Sequence, residues 1–316
     1  METNSASVLG AFARDFCAED LLECLSINPG RIGDDLVGRA RAIEIWKSLI
    51  NSRSFTSAVI QADSSIASRP MVAFGASVFV QQGFVDEELS RPRPGLNARV
   101  FASIDSGKSV VLSERELRAA NTTGGLDSLI LYGSWRHDVL SFEGVHEVCS
   151  CLGFSYVENH RGYRLNRLFG ESVGNGERIA LDASRVWRAV RHLDEPGREP
   201  WSLWIITKED SLAVKANIIN PLFIHKEPVL ELRDADQQLL LAAINGLTDG
   251  ELSLKLGLTV NAVKKRWISI FDRTIEAQPA LIPAISLNDA QRRGRQKRHH
   301  VLAYVRAHME ELRPTL

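Results

Sequence analysis

The residues best suited by type and spacing to do chemistry lie in the last third of the chain. Lys264, Lys265 and Arg266 form an unbroken cationic run, preceded by Asn261 and Thr259. A second basic run, RRGRQKR, supplies Arg292, Arg293, Arg295, Lys297 and Arg298. Cations in such density neutralise phosphates. An Asn amide carries one acceptor and a donor group, the pattern that matches the edge of adenine. The expected chemistry of this stretch is contact with double-stranded DNA. Charge agrees in sign: from Leu232 to the end there are 13 Lys+Arg against 9 Asp+Glu, a balance of +4, and the remaining 25 against 30 give −5. A mildly acidic body with a basic end suits such a partner. The plainer reading of the same run is a solvated face.

Other chemistry finds little footing. Cys17, Cys24, Cys149 and Cys151 do not have the spacing of a disulfide framework. Cys149 and Cys151, two apart on a helix, face different ways, so no metal site is expected. His137, His146 and His160 share a region but form no HExxH motif. Gly170–Gly176 (GESVGNG) lacks the lysine of a phosphate-binding loop and reads as an ordinary loop. There is no nucleophile elbow and no dinucleotide fingerprint, so no catalytic residue and no cofactor is nominated. The first residues, METNSASVLGAFARDFC, have no secretory pattern, and no stretch approaches about 18 uninterrupted apolar residues. A cytoplasmic protein is expected.

The elements that must position these groups fall into two textures. Residues 7–25 place Val8, Phe12, Phe16, Leu21 and Leu25 near helical spacing, and 34–50 form a second amphipathic candidate. Thr56–Gln61 (TSAVIQ) and Met71–Val80 (MVAFGASVFV) read as strands, with Gly75 marking a bulge or kink. Ser109–Ser113, Asp127–Gly133 and Trp201–Thr207 read as further strands. Leu96–Ile104, Glu114–Ala120 and Ser141–Leu152 read as helices. Trp46, Trp135, Trp187, Trp201 and Trp204 belong to this part as core or pocket lining. An α+β or α/β domain with a mixed sheet is expected over residues 1–228.

From Glu231 the strand signal stops. A first helix is expected from about Ala235 to Asn245, ended by Gly246. Thr248-Asp-Gly-Glu251 has the form of a capping box and opens a second. Thr259 caps a third, running to about Asp272, with Val263, Trp267 and Ile270 on its inner face. The segment Leu232–Arg273 resembles the C-terminal domain of LuxR-type regulators, on Leu232, Asp236, Leu239, Leu240, Gly246, Thr248, Glu251, Leu252, Leu256, Gly257, Leu258, Thr259, Val263, Lys264 and Ile270. The resemblance implies an all-α helix-turn-helix domain over 229–316. Its recognition helix would begin at Thr259 and carry Lys264 onto DNA. Ala262 and Arg266 depart from the usual Thr and His, and Pro279 and Pro283 interrupt the place of the family's fourth helix.

The strands TSAVIQ and MVAFGASVFV resemble the central strands of the GCN5-related acetyltransferase fold. That fold's acetyl-CoA loop requires Arg/Gln-x-x-Gly-x-Gly/Ala. Arg91-Pro-Arg-Pro-Gly95-Leu-Asn-Ala98 does not match it, because Pro92 and Pro94 lack backbone N–H groups. Two functional readings result. One is a transcription regulator whose N-terminal domain senses a small molecule or partner and whose C-terminal domain binds DNA as a homodimer. The alternative is an acyltransferase-like enzyme with a helical appendage. No membrane partner is expected in either.

Overall fold

The computed structural model describes residues 10–14, 16–62, 71–136, 140–215, 217–282 and 290–315, without the side chains of Arg31, Phe142 and 290–295. In chain order the elements are β1 (Phe12–Arg14), α1 (Leu21–Ser26), α2 (Arg39–Ile50), β2 (Phe55–Gln61), β3 (Met71–Val80), α3 (Gln82–Ser90), α4 (Leu96–Asp105) and α5 (Glu114–Thr122). They continue as β4 (Leu126–Trp135), α6 (Phe142–His160), β5 (Leu165–Val173), α7 (Asn175–Ser184), β6 (Arg188–Leu193), β7 (Trp201–Thr207) and α8 (Lys208–Ala213). The last are α9 (Asp234–Ile244), α10 (Asp249–Lys255), α11 (Val260–Ala277) and α12 (Ala290–Ala307). The chain divides into two units, one of residues 1–160 and 164–224, the other of 161–163 and 225–316.

The first unit is an α+β fold around a mixed seven-stranded sheet of order β1-β2-β3-β4-β5-β7-β6. Its neighbours are antiparallel except β4 and β5, which run parallel. β3, at the centre, is buried almost throughout, as its β-branched and aromatic run requires. Successive residues of β3 serve opposite faces. Phe74 meets Trp46 of α2 and Tyr132 of β4 at centroid distances of 6.3 and 5.4 Å. Phe101 of α4 joins the same aromatic core, 5.5 Å from Trp46. Each such fully buried side chain contributes about 1.5–3 kcal/mol relative to exposure. Gly75 and Ser77 face the other way, towards α6.

The parallel pair closes at one end and parts at the other. At the closed end the buried Asp127 accepts from Arg167 Nε and a terminal guanidinium nitrogen at 2.8 and 2.7 Å. These bonds, with Asp86 adding to them, push the Arg167 guanidinium above its ordinary pKa. Pairing with β5 extends only to Ile130↔Gly170. In the same place β4 bulges against β3: Ala76 faces Tyr132 and Ser77 faces Ile130, which leaves Leu131 as the extra residue. A bulge bends its strand and frees backbone groups. The freed Leu131 carbonyl accepts from the buried Asn97 amide.

Several local expectations are corrected. The helix expected over residues 7–25 is broken into β1, a short 3-10 turn and α1, and residues 1–9 lie outside the described part. β1 exists because Phe12–Arg14 pair with Val59–Gln61 of β2. Ser109–Ser113 makes only an isolated bridge, Val80↔Val111. Gly170–Gly176 is not a loop: it ends β5 and begins α7. Gly75 carries no bulge itself; the irregularity falls one position later, between Ala76 and Ser77.

The second unit contributes α9 to α12. Leu239, Leu240, Leu252, Val263, Trp267 and Ile270 form its core. Thr248 and Glu251 make a capping box, and the Thr259 hydroxyl accepts from Ala262 N at 3.1 Å. α11 runs to Ala277, past the expected Asp272. These helices do not by themselves establish the LuxR-type helix-turn-helix expected from the sequence. Among the described residues no helix is long and apolar enough to cross a membrane.

Candidate functional site

The first unit holds a cavity of about 560 Å³ on the α6 side of its sheet. Ala58, Gly75 and Gly133, paired across β2, β3 and β4, lie along its lining, and Gly170 of β5 continues it. Glycine on a strand leaves open the volume that a side chain would occupy. A Cβ on Gly75 would stand 3.2 Å from Leu152 of α6, and one on Gly170 would stand 3.2 Å from Ile130. Leu152, Leu168, Leu181, Trp187, Trp204 and Ile218 make most of the remaining lining apolar. The cavity therefore lies where β4 leaves β5.

A polar cluster marks one part of it. His160, at the end of α6, is buried, and its Nδ1 lies 2.8 Å from the Tyr156 carbonyl. A carbonyl only accepts, so Nδ1 carries the proton in that bond, and in the neutral ring Nε2 is left as an acceptor. Nε2 lies 3.2 Å from Ser77 Oγ, 3.2 Å from Ser128 Oγ and 3.3 Å from Thr56 Oγ1. The Tyr156 ring stacks on the imidazole at 4.0 Å, and its hydroxyl bonds Ser128 at 2.8 Å. Burial pushes the Tyr156 phenol up, so it stays a neutral hydroxyl. An imidazole with a fixed tautomer and an accepting Nε2 at a cavity wall can take a proton from a nucleophile. Cys149, also on the lining, is pushed up to about 11 by burial and by Glu177, which makes it a poor nucleophile.

A second feature sits at the parting of the strands. α4 begins there, after Gly95 in the left-handed conformation at φ 84°. Its first amides do not stay open to an outside anion. Gly95 N and Leu96 N each donate to Glu171 Oε2 at 3.1 Å, and Asn97 N donates to Oε1 at 3.4 Å. The Trp201 indole adds a fourth bond to Oε2 at 2.8 Å. A carboxylate is well placed at a helix N-terminus, where the dipole and the unpaired N–H groups favour negative charge.

No family model and no curated protein matches the sequence. Solved structures do match. They include an uncharacterised protein from Bacillus halodurans (10% identity, 64% of this chain and 86% of that one, TM-score 0.38). FeeM, an N-acyl amino acid synthase from uncultured soil microbes, matches at 9% identity over 67% of this chain and 97% of its own, TM-score 0.37. Mutant forms of the spermidine/spermine N-acetyltransferase SpeG from Vibrio cholerae match at 10% identity over 65% and 98%, TM-score 0.35. Likeness at this level leaves the ligand to be read from the cavity itself.

The expected identity as a LuxR-like, DNA-binding helix-turn-helix transcription regulator is corrected here. Of the neighbours named above, FeeM and SpeG are an acyl synthase and an acetyltransferase, and neither is a DNA-binding regulator. Some of the nominated cations are engaged within the second unit itself. Arg266 donates to the Ala235 carbonyl at 3.1 Å. Arg298 makes two bonds to Asp249 at 2.7 and 2.9 Å and lies over the Trp267 ring. Lys297 lies 5.8 Å from the Phe271 centroid. Thr259 serves as a cap, Asn261, Lys264 and Lys265 are exposed, and the side chains of Arg292, Arg293 and Arg295 lie outside the described residues.

The acetyl-CoA of the resembled acetyltransferase fold does not fit these residues. The amides that would hold its pyrophosphate are engaged by Glu171, and Pro92 and Pro94 offer none. Among the described residues no group of three or more His, Cys, Asp or Glu could hold a metal ion. Sequence reading did not nominate His160, Ser77, Ser128, Thr56 or Glu171. The one local signal was glycine inside the expected strands, at 75 and 133, which marks where something must approach the sheet closely; Gly170 carried no such signal because its segment reads as a loop.

Proposed function

We propose that the first unit is an acyltransferase-like domain that seats the acyl chain of a small molecule in the cavity, with His160 as base. The observation that carries this reading is the mainly apolar cavity of about 560 Å³ at the β4–β5 parting, with the His160 cluster on its wall. Volumes of roughly 300–1,000 Å³, apolar with a few placed polar groups, are typical of small-molecule sites. The step is simple in outline. An acceptor amine attacks the acyl carbonyl of a thioester, its proton passes to His160 Nε2, and the imidazolium returns that proton to the departing thiolate.

The test is release of free thiol from decanoyl-pantetheine by the full chain in the presence of an amine. His160→Gln should bind the thioester within about threefold of wild type yet lose roughly 100-fold or more in rate, the usual weight of a general base. Equal rates in both proteins would overturn the role of His160. Saturable binding with no thiol release from wild type would overturn transfer and leave an acyl-binding domain.

A further inference from the structure

We infer that this domain recognises its acyl ligand without a diphosphate, because its own Glu171 carboxylate fills the anion cradle at the start of α4. The identity of the ligand as acyl rests on the reading above; the filling of the cradle does not.

The start of α4 is the natural anion site of this sheet. It points at the gap left where β4 and β5 separate, and a helix N-terminus gathers N–H donors and positive dipole there. A phosphate entering it would need the N–H groups of Gly95, Leu96 and Asn97. All three already donate to Glu171, with the Trp201 indole as fourth donor. The carboxylate comes from β5 across 74 to 76 residues of sequence, so it is held by the sheet and not by a passing loop. A diphosphate would have to displace four hydrogen bonds and then sit beside the expelled negative charge. The preceding turn offers few donors in its place: Pro92 and Pro94 have no N–H to give, and the Arg91 N–H already bonds the Glu87 carbonyl. Specificity at this end therefore works by exclusion: a half-buried like charge, already holding the donors, rejects the wrong ligand more strongly than contacts select the right one. The ligand class that fits is an acyl thioester, amide or ester whose head carries no nucleotide diphosphate.

Decanoyl-pantetheine and decanoyl-CoA share the acyl chain and the thioester and differ by the nucleotide diphosphate. Titrated calorimetrically into the full chain, decanoyl-CoA should bind no more tightly than decanoyl-pantetheine, and more weakly wherever its diphosphate is driven against Glu171. Inorganic pyrophosphate, added to isotopically labelled protein, should leave the amide resonances of Gly95, Leu96 and Asn97 in place. The same addition to Glu171→Ala should move them saturably. A CoA ester binding about tenfold or more tighter, or pyrophosphate shifting those amides in the wild type, would overturn the proposal. If neither acyl compound binds, the acyl reading falls, while unmoved amides still uphold the filled cradle. The wild-type measurements decide the matter even where Glu171→Ala does not fold.

Discussion

Replacing Arg167 by Met tests the physical basis of the cavity, the closed end of the parallel pair. Asp127 is 3% exposed and Arg167 14%, and they share a two-pronged contact at 2.8 and 2.7 Å. Methionine keeps most of the stem and its packing but removes the charge. Asp127 would then be a buried carboxylate held by Asn166 Nδ2 at 3.3 Å and without its ion pair. Breaking a buried pair from one side typically costs about 3–5 kcal/mol. Against a total of about 5–15 kcal/mol, that is a large share. Urea unfolding followed by the fluorescence of the tryptophans in the first unit should show the loss. The double variant Asp127→Asn with Arg167→Met leaves no buried charge and should recover at least half of it. A cost below about 1 kcal/mol for Arg167→Met would refute the reasoning, since it would mean that the pair is solvated or that another group carries Asp127.

Three other outcomes follow from the same geometry. With Cys149 pushed up to about 11, only about one thiol in a thousand is ionised at pH 8, so iodoacetamide should label exposed Cys17 well before Cys149; mass spectrometry reads the order. Gly75→Val should crowd Leu152, cost about 1–3 kcal/mol of stability and weaken decanoyl-pantetheine binding measured by calorimetry. Arg14 bonds Asp20 at 2.6 and 2.8 Å and holds its carboxyl below the ordinary range. The stability from that depressed pKa is present above the unfolded value of about 3.9 and is lost as pH falls through the folded value. Arg14→Ala should therefore lower Tm at pH 7 and make little difference near pH 2.

What could be read from the sequence was local. Met71–Val80 announces itself as a strand because every residue after Met71 is β-branched, aromatic or small, and the strand spans those residues. Ser113 and Glu116 form a capping box that starts α5 where a helix is expected. Edge strands escaped, because pairing across the sheet and not spacing creates them. Phe12 and Phe16 have helical spacing, yet Phe12 pairs with Gln61. β6, Arg188–Leu193, is charged and largely exposed, and nothing in it distinguishes a strand from a loop. The site was hidden for the same reason. His160 draws its partners from Thr56, Ser77 and Ser128 on three different strands, and Glu171 meets α4 only after the sheet has formed. The cations of α11 and α12 stood out in the sequence, but spacing could not reveal that Asp249 and the Ala235 carbonyl would hold two of them.

The most direct measurement of the central claim is calorimetric affinity for a series of acyl-pantetheines lengthened one methylene at a time. If the chain enters the apolar cavity beside Gly75, Gly133 and Gly170, each added CH₂ should contribute about 0.8 kcal/mol, close to a fourfold gain, until the cavity is full. The same gain should be blunted in Gly75→Val. Affinity that stays flat with chain length, or that rises equally in Gly75→Val, would contradict an acyl chain in this cavity.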